Sequence, residues 1–251
     1  MRRFGSILVV SAALAILAVS AAQADSFTVV RTSAGFPSND TVNWGALGIG
    51  VRAPDGTNVL SSTGFMTTSV TFGLTSTTGR AGQTFCGAPG AGCTWNGNFA
   101  AMASLISNTS PRTGNGQGAF DLTFSQGIAN VGFDIQPMDL GTFKYVVEAL
   151  DGSTVLGMFF GQGMSNLTNG YAVFFGLEDL TGADITGIKI GAYQCGHDSD
   201  SICAHGFAIG NLLVQDTTTP EPASLLLFGS GFGILALLRR KFARAAKSPN
   251  Q

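Results

Sequence analysis

Short alternating runs dominate the second half of the chain. Ala119-Phe120-Asp121-Leu122-Thr123-Phe124 switches between apolar and polar positions, which places Phe120, Leu122 and Phe124 on one face of an extended strand. Asn130 to Ile135 (NVGFDI) repeats the device, so the two runs predict a sheet with one buried face. Thr142 to Leu150 (TFKYVVEAL) and Thr154 to Phe160 (TVLGMFF) flank Asp151-Gly152-Ser153, a hairpin signal. Tyr171 to Phe175, Ile185 to Ile190 and Phe207 to Val214 continue the series at the spacing of an antiparallel β-sandwich of jelly-roll type. Long amphipathic helical patterns are absent.

The first half is less regular. Phe27 to Arg31, Thr41 to Val51 and Ser69 to Leu74 predict strands, separated by Ser/Thr/Gly-rich stretches such as Ser61-Ser62-Thr63-Gly64 and Thr75 to Gly79. Trp44, Phe65, Phe72 and Phe85 recur among them and call for burial, which favours extra strands and long loops of the same domain over a separate stalk. The one linker is Asp216 to Pro222.

Both ends carry longer apolar runs. Arg2 and Arg3 precede Ile7 to Val19, and Ala22-Gln23-Ala24 sets small residues two apart before Asp25. This predicts a signal peptide over 1–24, cut between Ala24 and Asp25 by signal peptidase; an uncleaved anchor is the alternative, and the run is short for one. Near the other end, Ala223 to Leu238 is 16 residues without a charge, about 24 Å of helix against roughly 30 Å of hydrocarbon. Arg239, Arg240 and Lys241 follow at once, opening a basic tail over 239–251. The positive-inside rule keeps that tail cytoplasmic and a body of residues 25–215 outside. Pro220 and Pro222 break any helix, so 216–222 reads as an extended linker just outside a membrane helix over 223–238. Spacing alone favours a plain stop-transfer anchor, whose prolines simply break the helix.

In order, the signal peptide, Pro220-Glu221-Pro222, the short apolar helix with Ser224, Gly229, Gly231 and Gly233, and the Arg239-Arg240-Lys241 cap resemble the PEP-CTERM sorting signal of Gram-negative bacteria. The resemblance implies recognition by exosortase, a membrane transpeptidase, and removal of the tail. It also implies a transient stay in the inner membrane, then delivery to the cell surface or extracellular matrix. The tail from Phe242 to Gln251 is longer than that signal calls for. Within the body, Trp95 to Phe99, Gly118 to Phe124, Val131 to Asp134, Leu150-Asp151-Gly152 and Phe207 to Leu212 loosely resemble the ectodomain that often precedes such signals. That ectodomain is similar to galactose-binding-like, carbohydrate-binding sandwiches. Gly210 stands where the resemblance implies an Asp before Asn211, which puts a calcium or ligand contact there in doubt.

Charge narrows the partners. Between Asp25 and Thr219 six basic residues stand against fourteen acidic ones, and Lys144 and Lys189 are the only lysines. Phosphate backbones need basic patches, so nucleic acid is excluded as a partner. Four cysteines in an exported chain favour disulfides, and the simplest pairing is local, Cys86 with Cys93 and Cys195 with Cys203, with cross-pairings open.

Candidate chemistry is sparse. His197, Asp198, Asp200 and His205 cluster around the second cysteine loop, but their spacing matches neither a zinc nor a calcium motif. A solvated polar loop accounts for them, and we expect no metal and no cofactor. No Gly-x-Ser-x-Gly elbow, His-Glu-x-x-His helix or phosphate-cradling glycine loop occurs. Glu148 and Glu178, with Asp134 or Asp139, are the carboxylates that a glycosidase dyad would draw on. The sequence therefore predicts an exported, non-enzymatic module of the envelope or biofilm matrix. Extracellular polysaccharide is its candidate ligand, met through exposed aromatics such as Trp44 or Trp95 unless these lie in the core; an extracellular glycan-processing enzyme is the alternative.

Overall fold

A computed structural model of the protein describes residues 26–72, 81–86, 95, 99–100, 103–109, 118–166, 172–195, 203 and 205–216. Ala24, Asp25, Pro220-Glu221-Pro222, the apolar helix expected over 223–238 and Arg239, Arg240 and Lys241 lie outside these residues, as do Cys93, His197, Asp198 and Asp200. Among the described residues no helix is long and apolar enough to cross a membrane. The chain divides into two compact units, Met1–Asp216 and Thr217–Gln251.

The first unit is built from β1 (Phe27–Val30), β2 (Asp40–Val42), β3 (Arg52–Pro54), β4 (Thr57–Leu60), β5 (Thr67–Phe72), β6 (Ala81–Cys86), β7 (Ser104–Ser107), β8 (Phe120–Ile128), β9 (Asn130–Pro137), β10 (Gly141–Asp151), β11 (Thr154–Ser165), β12 (Val173–Asp179), β13 (Ile185–Tyr193), β14 (Phe207–Ile209) and β15 (Leu212–Gln215). A nine-stranded sheet runs β1-β12-β9-β14-β7-β6-β3, with β15 pairing β9 and β2. A six-stranded sheet runs β11-β10-β13-β8-β5-β4, and the pairings in both are antiparallel.

Alternation explains how the two sheets meet. Phe120, Leu122 and Phe124 all point inward from β8, as their period of two requires. Phe120 stands edge-on to Phe207 of the opposite sheet at 5.0 Å, and Tyr145 to Phe175 at 6.0 Å, within one continuous core. Such pairs contribute roughly 0.5–1.5 kcal/mol beyond the burial of their area. The hairpin between β10 and β11 closes as Asp151-Gly152-Ser153 predicts: Asp151 faces Thr154, and Gly152 takes the positive φ of 56° that the tight turn needs.

Four expectations are corrected. β9 is buried on both faces, because Gly132 and its register partner Gly176 make room for Phe36 and Phe174 on the outer side. A Cβ at Gly132 would come within 2.7 Å of Phe174 and 2.8 Å of Phe36. Thr41 to Val51 is not one strand: after β2 the Asn43 side chain accepts from the Gly45 N–H at 2.8 Å and starts a 3-10 turn over Trp44–Leu47, and Gly48 and Gly50 take positive φ before β3. Phe207 to Val214 breaks at Gly210-Asn211 into β14, which pairs β7, and β15, which pairs β2. Phe65 is 50 % exposed, since it lies on the turn between β4 and β5 whose polar side chains turn inward to Asp40.

Asp40 is a buried anchor that alternation did not single out. Its carboxylate accepts from Thr41 N–H at 2.7 Å, Ser62 Oγ at 2.7 Å, Thr63 N–H at 3.0 Å and Thr63 Oγ1 at 2.6 Å, tying β2 to the turn after β4. Burial pushes the group up, but hydrogen bonds from Ser61, Thr63 and Ser62 outweigh it and hold the carboxyl well below the usual range. A depressed folded pKa gives stability that is whole above the ordinary aspartate value, about 3.9, and is lost as pH falls through the folded value. Asp40→Ala is expected to lower the unfolding free energy by about 2–3 kcal/mol at neutral pH. Asp40→Asn should flatten the fall of wild-type stability below roughly pH 4; urea titrations across that range read both effects, and an unchanged acid limb would remove Asp40 as its cause.

Candidate functional site

Strand register assembles a row of side chains that are scattered in sequence. Phe143 and Tyr145 point into the core from β10, so Lys144 between them points out. Its register partners are Gln162 on β11 and Tyr193 on β13, which makes Gln162, Lys144 and Tyr193 neighbours across the outer face of the six-stranded sheet. One pleat along β11, Phe160 lies 58 % exposed opposite Val146.

Arg31 reaches the same place from the other sheet. It follows β1 and donates to the Tyr145 hydroxyl and, at 2.8 Å, to the Phe160 carbonyl. Its guanidinium carbon lies 5.7 Å from the Tyr145 ring centre and 5.6 Å from that of Phe175, a cation–π setting. Gly161 permits this approach, because a Cβ there would strike the phenol end of Tyr145 and come within 2.7 Å of Arg31 Nη1. Burial pushes the Tyr145 phenol up, with Arg31 opposing, so the hydroxyl stays protonated at neutral pH. Arg31, Tyr145, Phe160 and Gly161 line, with Lys144, Gln162, Val173 and Tyr193, a groove of about 730 Å³, a size suited to a small organic ligand or a few sugar units.

Its two cations differ from their counterparts. Lys189 sits in register between Asp121 and Glu148, a carboxylate on each side; burial pushes the Asp121 carboxyl up, Lys189 opposes it and Glu148 adds to it. Lys144 has no ion pair or hydrogen bond of its side chain among the described residues. At the end of β13, beyond Tyr193, Gln194 takes a left-handed φ of 52° and Cys195 is bonded to Cys203, with Cα atoms 5.1 Å apart. The expected Cys195–Cys203 bond is thus present next to the groove, whereas Cys86 ends β6 and its expected partner Cys93 is outside the described residues.

The residues singled out from the sequence lie elsewhere. Trp44 and Trp95 are 0 % and 1 % exposed, so neither offers a ring to a ligand. Trp44 N–H and Nε1–H donate to Asn211 Oδ1 at 3.2 Å and Gly210 O at 2.7 Å, stitching the 3-10 turn to the break between β14 and β15. Trp95 packs with Phe99, Leu105 and Ala208 in a second cluster. Gly210 itself lies over Asp134, its N–H donating to the Asp134 carbonyl at 2.9 Å. His205 Nδ1 is 2.5 Å from Asp139 Oδ1, and no group of three metal-ligating side chains occurs among the described residues.

The proposed acid pairs are not brought together. Val147 and Leu177 point into the core, so Glu148 and Glu178 stand on the outer faces of opposite sheets. Glu178 faces Asn130, four positions from Asp134 along β9, roughly 13 Å at about 3.4 Å per residue. That exceeds the range of about 5–9.5 Å in which two carboxyls share a glycosidic bond. What the sequence reading missed was the row of Arg31, Lys144, Phe160, Gln162 and Tyr193. Lys144 between two inward aromatics in TFKYVVEAL was the available signal; its partners needed the register.

A family model described as the PEP-CTERM protein-sorting motif matches residues 218–241. No curated protein matches the chain.

Proposed function

We propose that a chain with a PEP-CTERM protein-sorting motif at residues 218–241 is an exported envelope or matrix protein whose β-sandwich binds glycan without turning it over. The motif supports export and sorting at the C-terminus, and it implies processing by exosortase after a transient anchored stage. The body reads as a jelly-roll or galactose-binding-like sandwich, in keeping with its two antiparallel sheets on one core.

One observation carries the binding reading: the groove offers two aromatic side chains, Phe160 and Tyr193, beside the Gln162 amide. Aromatic faces take the C–H face of a pyranose, and an amide both donates and accepts toward its hydroxyls. Trp44 and Trp95, being buried, have no part in it. Binding rather than catalysis is favoured because Glu148 is separated by two sheets from Glu178 and Asp134.

Affinity electrophoresis of the exported protein through gels containing matrix polysaccharide tests the reading. Phe160→Ala and Tyr193→Ala are each expected to weaken retardation about tenfold, as truncation of an anchor in a binding site does. Release of reducing ends by wild-type protein that vanishes in Glu148→Gln or Glu178→Gln would establish the enzyme instead.

A further inference from the structure

We infer that the groove selects a carboxylate-bearing glycan, a polyuronate, over a neutral one; the inference rests on the glycan-binding reading and adds the charge of the ligand to it. Charge economy makes the case. The exported segment from Asp25 to Thr219 is strongly acidic, so its surface as a whole repels polyanions. Four cations are described: Arg31, Arg52, Lys144 and Lys189. Lys189 is flanked by Asp121 and Glu148, whereas Arg31 and Lys144 line one groove.

Neither of these two charges is neutralised within the described structure. Arg31 makes hydrogen bonds to a hydroxyl and a carbonyl, both uncharged, through two of its terminal nitrogens. Its guanidinium carries five N–H donors, so others stay available. Lys144 stands between Gln162 and Tyr193 in register, an ammonium with an amide on one side and an aromatic on the other. A sugar ring stacked on Tyr193 or Phe160 brings its substituents over this row. A carboxylate among them meets a cation already in place, and the charge-assisted bond that forms is about twice as strong as a neutral one. An acidic peptide would satisfy the charges but has no regular ring face to set against the aromatics.

The test compares four polymers of matched length on the exported protein: polygalacturonate, the same polymer methyl-esterified, dextran and polyglutamate. Polygalacturonate is expected to bind, with affinity falling about five- to tenfold in Lys144→Gln and by a similar factor on esterification, and weakening as salt is raised. Lys144 is exposed, so Lys144→Gln should melt as wild type does. Dextran or the ester binding as tightly as polygalacturonate, while Phe160→Ala and Tyr193→Ala still weaken it, would overturn the acidic preference and leave the glycan reading standing. Polyglutamate binding as tightly as polygalacturonate would reduce the effect to charge alone and overturn the inference too. No polymer sensitive to Phe160 or Tyr193 would overturn both.

Discussion

Trp44→Ala is expected to lower the free energy of unfolding by about 3–5 kcal/mol, in the range for removing a large buried aromatic. The residue is fully buried in the main core, and its indole N–H satisfies the Gly210 carbonyl at 2.7 Å just where β14 gives way to β15. Truncation would leave a cavity and an unpartnered carbonyl together. Trp44→Phe separates the two effects: it keeps most of the apolar volume and loses the donor, so about 1–3 kcal/mol is expected. Chemical denaturation of both variants reads the numbers. Equal stabilities for Trp44→Phe and wild type would mean that the Gly210 contact contributes nothing, and an unchanged Trp44→Ala would contradict the burial itself. On the proposed glycan-binding reading, the Trp44→Phe variant should keep the wild-type affinity, which would set Trp44 apart from Phe160 and Tyr193.

An all-or-none outcome is expected at the other end of the chain. Replacing Pro220 and Pro222 together with Ala, or Glu221 with Ala, should leave full-length chain in the inner membrane, whereas wild-type surface fractions should hold protein lacking Ala223 to Gln251. Two prolines fix φ and supply no backbone N–H, so on the proposed sorting reading a helix beginning at Ala223 would not run back through them, and a processing enzyme would meet an extended segment. On the same reading, Arg239, Arg240 and Lys241 would hold the span in register by staying on the cytoplasmic side. Intact-mass measurement on wild-type, substituted and exosortase-deleted cells decides the matter. Full-length product in all three would make Pro220-Glu221-Pro222 incidental to a plain anchor.

Period-two patterning made the second half of the body readable. β8 and β10 emerged with the correct inward faces because each has one solvated side, so the pattern is unmixed. β9 misled on one face because the residues that cover it, Phe36 and Phe174, come from distant segments and fit over glycines, which carry no pattern of their own. The stretch from Thr41 to Val51 misled through local chemistry: Asn43 competes for the backbone as a cap, and two glycines with positive φ end the extension. The groove was the least legible part. Gln162, Lys144 and Tyr193 become neighbours only through two strand registers, and Arg31 arrives from the opposite sheet through the gap left by Gly161.

The contact of Arg31 with Phe160 matters beyond the groove. β11 ends its sheet, carries no charged residue over its 12 positions, and exposes Val155, Met158, Phe160 and Met164. A long, uncharged, apolar outermost strand is a template on which a strand from another molecule can add. Arg31 occupies a carbonyl in the middle of that template and sets a positive charge beside it. That charge, beside a carbonyl already taken, disfavours the addition of a strand from another copy along the edge.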